Sequence, residues 1–182
     1  IADDAPLETA VEALAYAALI NAGQVCTSTE RVYVPRSMLP RFAEALAERV
    51  SRLRLGPGIE PTTDVGPMIG EPYRARVEEH VAEAVARGGR LLVGGRRPPH
   101  LERGFFYEPT VLVDVDHSMR IMREETFGPT IPIMAYDTFD QAIALANDTD
   151  YGLGACLYTH DARKVRRFYE EVRAGTIWIN DP

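Results

Sequence analysis

The pattern that most constrains this 182-residue chain is a regular exchange of two hydrophobic periods. Segments with apolar residues every three to four positions alternate with short apolar runs of strand length. In the first segment Leu7, Val11, Leu14, Ala18 and Leu19 share one helical face and alanines cover the opposite one, so a buried helix is expected over residues 7–22. Pro6 suits its first turn, and Asp3, Asp4 and Glu8 suit its positive dipole end. A strand over residues 30–34 follows. Leu39, Phe42, Ala43, Leu46, Val50 and Leu53 mark a second helix, with Ser37 as candidate cap and Pro40 in its first turn.

Beyond a Gly-, Pro- and Thr-rich loop, Val77, Val81 and Val85 place a third helix over residues 72–87, closed by Gly88 and Gly89. Strands are expected over 90–93, 110–115, 131–136, 155–159 and 176–179. Phe139, Ala142, Ile143 and Ala146 define a fourth helix. Asp161 caps a fifth, with Val165, Phe168, Tyr169 and Val172 inward. Such alternation predicts an α/β fold in three layers, a largely parallel sheet with helices on both faces.

The length fits one domain over residues 1–182, able to bury about 70% of its unfolded surface without disulfides. A net charge of −7 argues against nucleic acid or an anionic membrane as partner. No apolar run reaches the roughly 20 residues of a membrane span. Cys26 and Cys156 are too few for a disulfide framework, which makes the cytoplasm the default location. His80, His100, His117 and His160 are scattered without ligand spacing, and no metal site is expected. The chain opens on Ile1 rather than Met and stops just after an apolar strand, and so reads as a piece of a longer polypeptide.

Cys26 lies on a glycine-containing turn between the first helix and the first strand, where a nucleophile would be placed. Position alone leaves a small core thiol as the alternative, since free cysteine is commonly buried. Cys156 sits inside an apolar strand pattern and reads as core filler.

The stretch Asn21-Ala22-Gly23-Gln24-Val25-Cys26 resembles the nucleophile motif N-x-G-Q-x-C of the NAD(P)-dependent aldehyde dehydrogenase superfamily. Glu124-Glu125-Thr126-Phe127-Gly128-Pro129 is similar to that family's second signature, E-E-x-F-G-P. Asp64-Val65-Gly66-Pro67, Phe106-Tyr107-Glu108-Pro109-Thr110-Val111, Tyr151-Gly152-Leu153 and Gly175-Thr176-Ile177-Trp178-Ile179-Asn180 follow the family's order, so the resemblance covers essentially the whole chain.

The resemblance implies that the Cys26 thiolate adds to an aldehyde carbonyl, giving a thiohemiacetal. Hydride then passes to the nicotinamide of NAD or NADP, and water hydrolyses the thioester that remains. It implies that Glu125 accepts the ribose hydroxyls, that Phe127 packs on the nicotinamide or its ribose, and that Leu153 touches the nicotinamide. Val25 and Thr27 would line the aldehyde channel. Asn21 and Gln24 would hold the loop, Asn180 would tie down a strand end, and Glu124 would be structural. Full-length relatives are expected to be homodimers or homotetramers acting on small aldehydes.

The family's cofactor domain, its E-L-G-G-type general-base Glu and its oxyanion-hole Asn would precede Ile1, so the isolated chain is expected to be inactive. One electrostatic difficulty stands out: a helix that runs up to the loop points its negative end at the thiolate. The competing readings are a cofactor-independent thiol esterase or acyl-transfer module, and a non-catalytic oligomerisation domain.

Overall fold

The structure is a computed structural model and describes residues 1–181. Five α-helices and six strands follow one another as α1 (Leu7–Leu19), β1 (Val32–Pro35), α2 (Leu39–Ser51), α3 (Glu71–Ala86), β2 (Arg90–Val93), β3 (Thr110–Val113), β4 (Thr130–Tyr136), α4 (Phe139–Asn147), β5 (Gly154–Leu157), α5 (Ala162–Glu171) and β6 (Thr176–Ile179). The α/β expectation holds, in two sheets rather than one. Four strands pair in the order β1-β4-β3-β2, and β5 pairs with β6 separately. Of the four pairings among the described residues, β1·β4, β3·β4 and β5·β6 are parallel and β2·β3 is antiparallel.

The central strand β4 lies between β1 and β3, and its residues 130–133 are all buried. A continuous buried run is the mark of a strand covered on both faces. α2 packs against β1, β2 and β3, and α1 packs on α2 and β4. On β1, Val32 and Val34 are buried, while Tyr33 points to the other face, where its hydroxyl donates to the Leu145 carbonyl of α4 at 3.2 Å. The β5–β6 pair has its own small core of Ala2, Ile143, Leu157, Phe168 and Val172. Among the described residues, no helix is long and apolar enough to cross a membrane.

Local expectations fail at three points. Ser37 does not cap α2, whose N-cap position is Met38 with no side-chain bond. The entry turn is closed by backbone instead, Met38 N–H to Pro35 O at 2.9 Å and Phe42 N–H to Met38 O at 3.0 Å. Tyr169 is 72% exposed rather than inward: Phe168 of α5 and Val172 just past its end are buried, and Tyr169 lies about 100° around the helix from Phe168. The strand expected over 110–115 ends at Val113 because Asp114 takes φ 59°. Asp161 does cap α5, its side chain accepting the Arg163 N–H at 2.8 Å.

Phe42 of α2 is fully buried in the main core. Phe42→Ala is expected to cost about 3–5 kcal/mol of stability, read as a lower urea midpoint with an unchanged slope.

Candidate active site

The first motif forms a strained turn. α1 stops at Leu19, three residues before the periodicity suggests, and Asn21, Ala22 and Gly23 take left-handed backbone with φ of 52°, 55° and 71°. Such backbone costs roughly 1–2 kcal/mol at each residue carrying a Cβ, so it persists only where the surroundings enforce it. The Asn21 side chain donates to Gln24 O at 3.1 Å, and the Gln24 side chain donates to Asn21 O at 3.0 Å and accepts the Ile69 N–H at 2.9 Å. The Ser28 N–H closes the turn around Cys26 on Val25 O at 2.9 Å. The thiol of Cys26 is free and exposed.

The expected clash between the helix dipole and the thiolate is relieved locally. The Ser28 hydroxyl lies 3.1 Å from Ala17 O and 3.2 Å from Ala18 O, and the Thr29 N–H reaches Ala17 O at 3.4 Å. The Ala17 and Ala18 carbonyls of the last turn of α1 therefore have partners on the segment just after Cys26.

The second motif abuts the first through backbone. A Cβ on Gly23 would fall 2.1 Å from the Gly128 carbonyl oxygen, and a Cβ on Gly128 would fall 2.2 Å from Val77 Cγ2. Between Glu124 and Gly128, the loop is gripped on both sides. Glu30 accepts the Phe127 N–H at 2.9 Å through Oε1 and the Thr126 N–H at 3.2 Å through Oε2, and the Tyr151 hydroxyl accepts the Glu125 N–H at 3.3 Å. From α3, the fully buried His80 places Nδ1 3.1 Å from Thr126 Oγ1 and Nε2 3.3 Å from a Glu124 oxygen. Burial, and then the nearby Arg120, hold His80 below its ordinary pKa, so the ring is neutral near pH 7. Arg120 also binds Glu124 through two bonds of 2.9 and 3.0 Å.

Glu124 is thus fully engaged in structure. Glu125 is exposed and, among the described residues, its carboxylate takes no ion pair.

A cavity of about 440 Å³ is lined by Cys26, Thr27, Glu30, Arg31, Arg123, Glu125, Tyr151 and Leu153, among others. Cys26, Thr27, Glu125 and Leu153, drawn from three separate motifs, therefore share one cleft. The side chains of Val25 and Phe127 do not line it, and both are half-buried. Phe127 has φ 53°. Asn180 ties the end of β6 to the segment after β5, its side chain accepting the Thr159 N–H at 2.9 Å and donating to Thr159 O at 3.0 Å. Cys156 is partly buried and donates to Asp181 O at 2.9 Å, and burial pushes its thiol pKa up.

Glu30 and His80 are contributors that motif reading missed, and Tyr151, though part of a quoted motif, was given no role there. No sequence pattern singled out Glu30, which stood as the first residue of the strand expected over 30–34. Burial raises the Glu30 pKa to about 7, against the pull of the Phe127 and Thr126 N–H groups, with Glu125 adding to the rise and Arg31 opposing it.

The Aldehyde dehydrogenase family model matches residues 1–182. The chain belongs to the aldehyde dehydrogenase family. It is 40% identical over 180 residues to betaine aldehyde dehydrogenase of Bacillus subtilis, covering 98% of this chain and 37% of that protein. It is 42% identical over 178 residues to 3-sulfolactaldehyde dehydrogenase of Pseudomonas putida, covering 98% and 36%. The crystal structure of betaine aldehyde dehydrogenase from Staphylococcus aureus in complex with NAD+ superposes with a TM-score of 0.96 at 40% identity, over 99% of this chain and 36% of that one. Other aldehyde dehydrogenase relatives are named for NADP. The chain spans little more than a third of the length of these relatives.

Two outcomes follow for these two loops. Gly23→Ala meets both a left-handed φ and the Gly128 carbonyl, and is expected to cost at least about 2 kcal/mol, seen as a lower thermal midpoint. For Glu30 the folded pKa lies above the unfolded one, so the native state binds the extra proton and stability falls as pH rises from about 4.5 towards 7. The cost at higher pH is on the order of 3 kcal/mol at 1.36 kcal/mol per pKa unit. Denaturation from pH 4.5 to 8 should show this slope in the parent chain and a shallower one in Glu30→Gln.

Proposed function

We propose that residues 1–182 are the nucleophile-bearing catalytic domain of a longer NAD(P)-dependent aldehyde dehydrogenase that oxidises a small aldehyde to its carboxylic acid. The observation that carries this reading is the single cleft lined by the exposed Cys26 thiol and the unpaired Glu125 carboxylate. Sulfur suits both halves of the reaction, since a thiolate adds readily to a carbonyl and its acyl adduct is activated towards water. Cys26 attacks the aldehyde carbon to give a thiohemiacetal, and loss of hydride from that carbon leaves a thioester on Cys26. A bound nicotinamide dinucleotide supplies the hydride acceptor.

The fit of that cofactor rests on Glu125, an exposed carboxylate able to accept two vicinal ribose hydroxyls, with Leu153 offering apolar contact on the same wall. Thr27, beside the thiol, faces the aldehyde. Val25, next to the thiol, contributes to the aldehyde channel, and Phe127 packs on the nicotinamide or its ribose. The choice of NAD or NADP, the general base and assembly into homodimers or homotetramers belong to the rest of the polypeptide in this reading, which places the enzyme in the cytoplasm.

Iodoacetamide should alkylate Cys26 at least tenfold faster than Cys156, whose thiol pKa is raised by burial. Equal rates would remove Cys26 as the nucleophile. Without a general base, a loss of about 10²–10⁴ in rate is expected, and without an oxyanion donor a further 10²–10³ or so. The 182-residue chain alone should therefore reduce NAD with aldehyde at no detectable rate. NADH production by it that is abolished in Cys26→Ala would overturn the division of labour.

A further inference from the structure

We propose that Glu30 is a positioning residue that locks the Glu125-bearing loop to the segment carrying Cys26, by accepting the Thr126 and Phe127 N–H groups through its two carboxylate oxygens. The proposal rests on the reading of Glu125 as the ribose-binding group and adds a device that holds it in place.

The geometry gives Glu30 this role. Its oxygens lie 2.9 and 3.2 Å from two successive backbone nitrogens 97 and 96 residues away in sequence. Those nitrogens belong to the residues that follow Glu125 directly, and Phe127 is held there in left-handed backbone. Four residues before Glu30 stands Cys26, and both line the cleft. Each carboxylate oxygen accepts one loop N–H, so Glu30 acts on the site through the loop it holds.

The clamp needs the carboxylate. Protonation converts one oxygen into an O–H donor, which faces an N–H donor and loses that bond. The groups that bear on Glu30 are Glu125 from the loop it holds and Arg31 on its own segment, and the cleft wall also carries Cys26, Arg123 and Glu124. Burial places the Glu30 pKa at about 7, so the lock changes state near neutrality.

The test is an amide NMR titration of the 182-residue chain from pH 5.5 to 8.5. The Thr126 and Phe127 amide signals should move together with a midpoint near 7. Glu30→Gln should abolish that shared transition, and Glu125→Gln should keep it and lower its midpoint, because a negative neighbour is removed. Absence of a transition, its survival in Glu30→Gln, or its loss in Glu125→Gln alone would overturn the proposal. Preferential alkylation of Cys26 over Cys156, measured on the same samples, reports separately on the aldehyde dehydrogenase reading: it persists if only the clamp is wrong.

Discussion

The site depends on one steric fact, that two loops far apart in sequence touch through bare backbone. Gly23 sits so close to the Gly128 carbonyl that no side chain fits between them, and Gly128 in turn lies against Val77 of α3. This contact brings the end of α1 against the segment that feeds β4, and puts Cys26 and Glu125 into one cleft. The strain collects around the same contact. Of the five residues other than glycine with positive φ, Asn21, Ala22, Phe127 and Asn180 fall within the motifs that resembled the family's. Backbone strain of this kind persists where neighbouring bonds over-determine it, and here the Asn21–Gln24 and Asn180–Thr159 bond pairs supply that determination.

The second motif divides its labour between two adjacent acids. Arg120 and His80 hold the Glu124 carboxylate, which fixes the start of the loop. Backbone N–H bonds to Tyr151, Glu30 and Glu30 again hold residues 125 to 127, which leaves the Glu125 side chain as the free group. A carboxylate on a loop fixed at successive backbone positions loses little further freedom when it binds a diol, which is the advantage of preorganisation.

Element order and the strand and helix segments were legible because each depends on local period: β2 and β6 match their expected bounds, and β4 differs by one residue. The split into two sheets was not, because pairing of β5 with β6 rather than with the main sheet is decided by packing between distant segments. Local rules also lost to tertiary ones at Ser37, where a backbone turn made a cap redundant, and at Tyr169, where one apolar residue too many was assigned to a narrow stripe. The motif residues were legible by resemblance, and Cys26, Thr27, Glu125 and Leu153 do meet in one cleft. Glu30 and His80 were silent because each acts across a long sequence separation, 96 residues to Thr126 for Glu30 and 46 for His80, and neither belongs to a spaced pattern.

The electrostatics of the thiol show what this arrangement must balance. Ser28 and Thr29 supply donors to the Ala17 and Ala18 carbonyls at the end of α1. Of the cations on the cleft wall, Arg123 is paired with the Asp148 carboxylate and also donates to the His117 carbonyl, while Arg31 donates to the neutral Tyr33 hydroxyl and its charge acts on Glu30. Two carboxyl groups, Glu30 and Glu125, share the cleft with Cys26, and two full negative charges would oppose a thiolate. A Glu30 with a pKa near 7 is about half protonated at that pH, so the cleft carries less negative charge than its composition suggests. A proton on Glu30 would remove both an acceptor from the Thr126–Phe127 backbone and a negative charge from the cleft. Burial of Glu30 sets where these opposite demands meet.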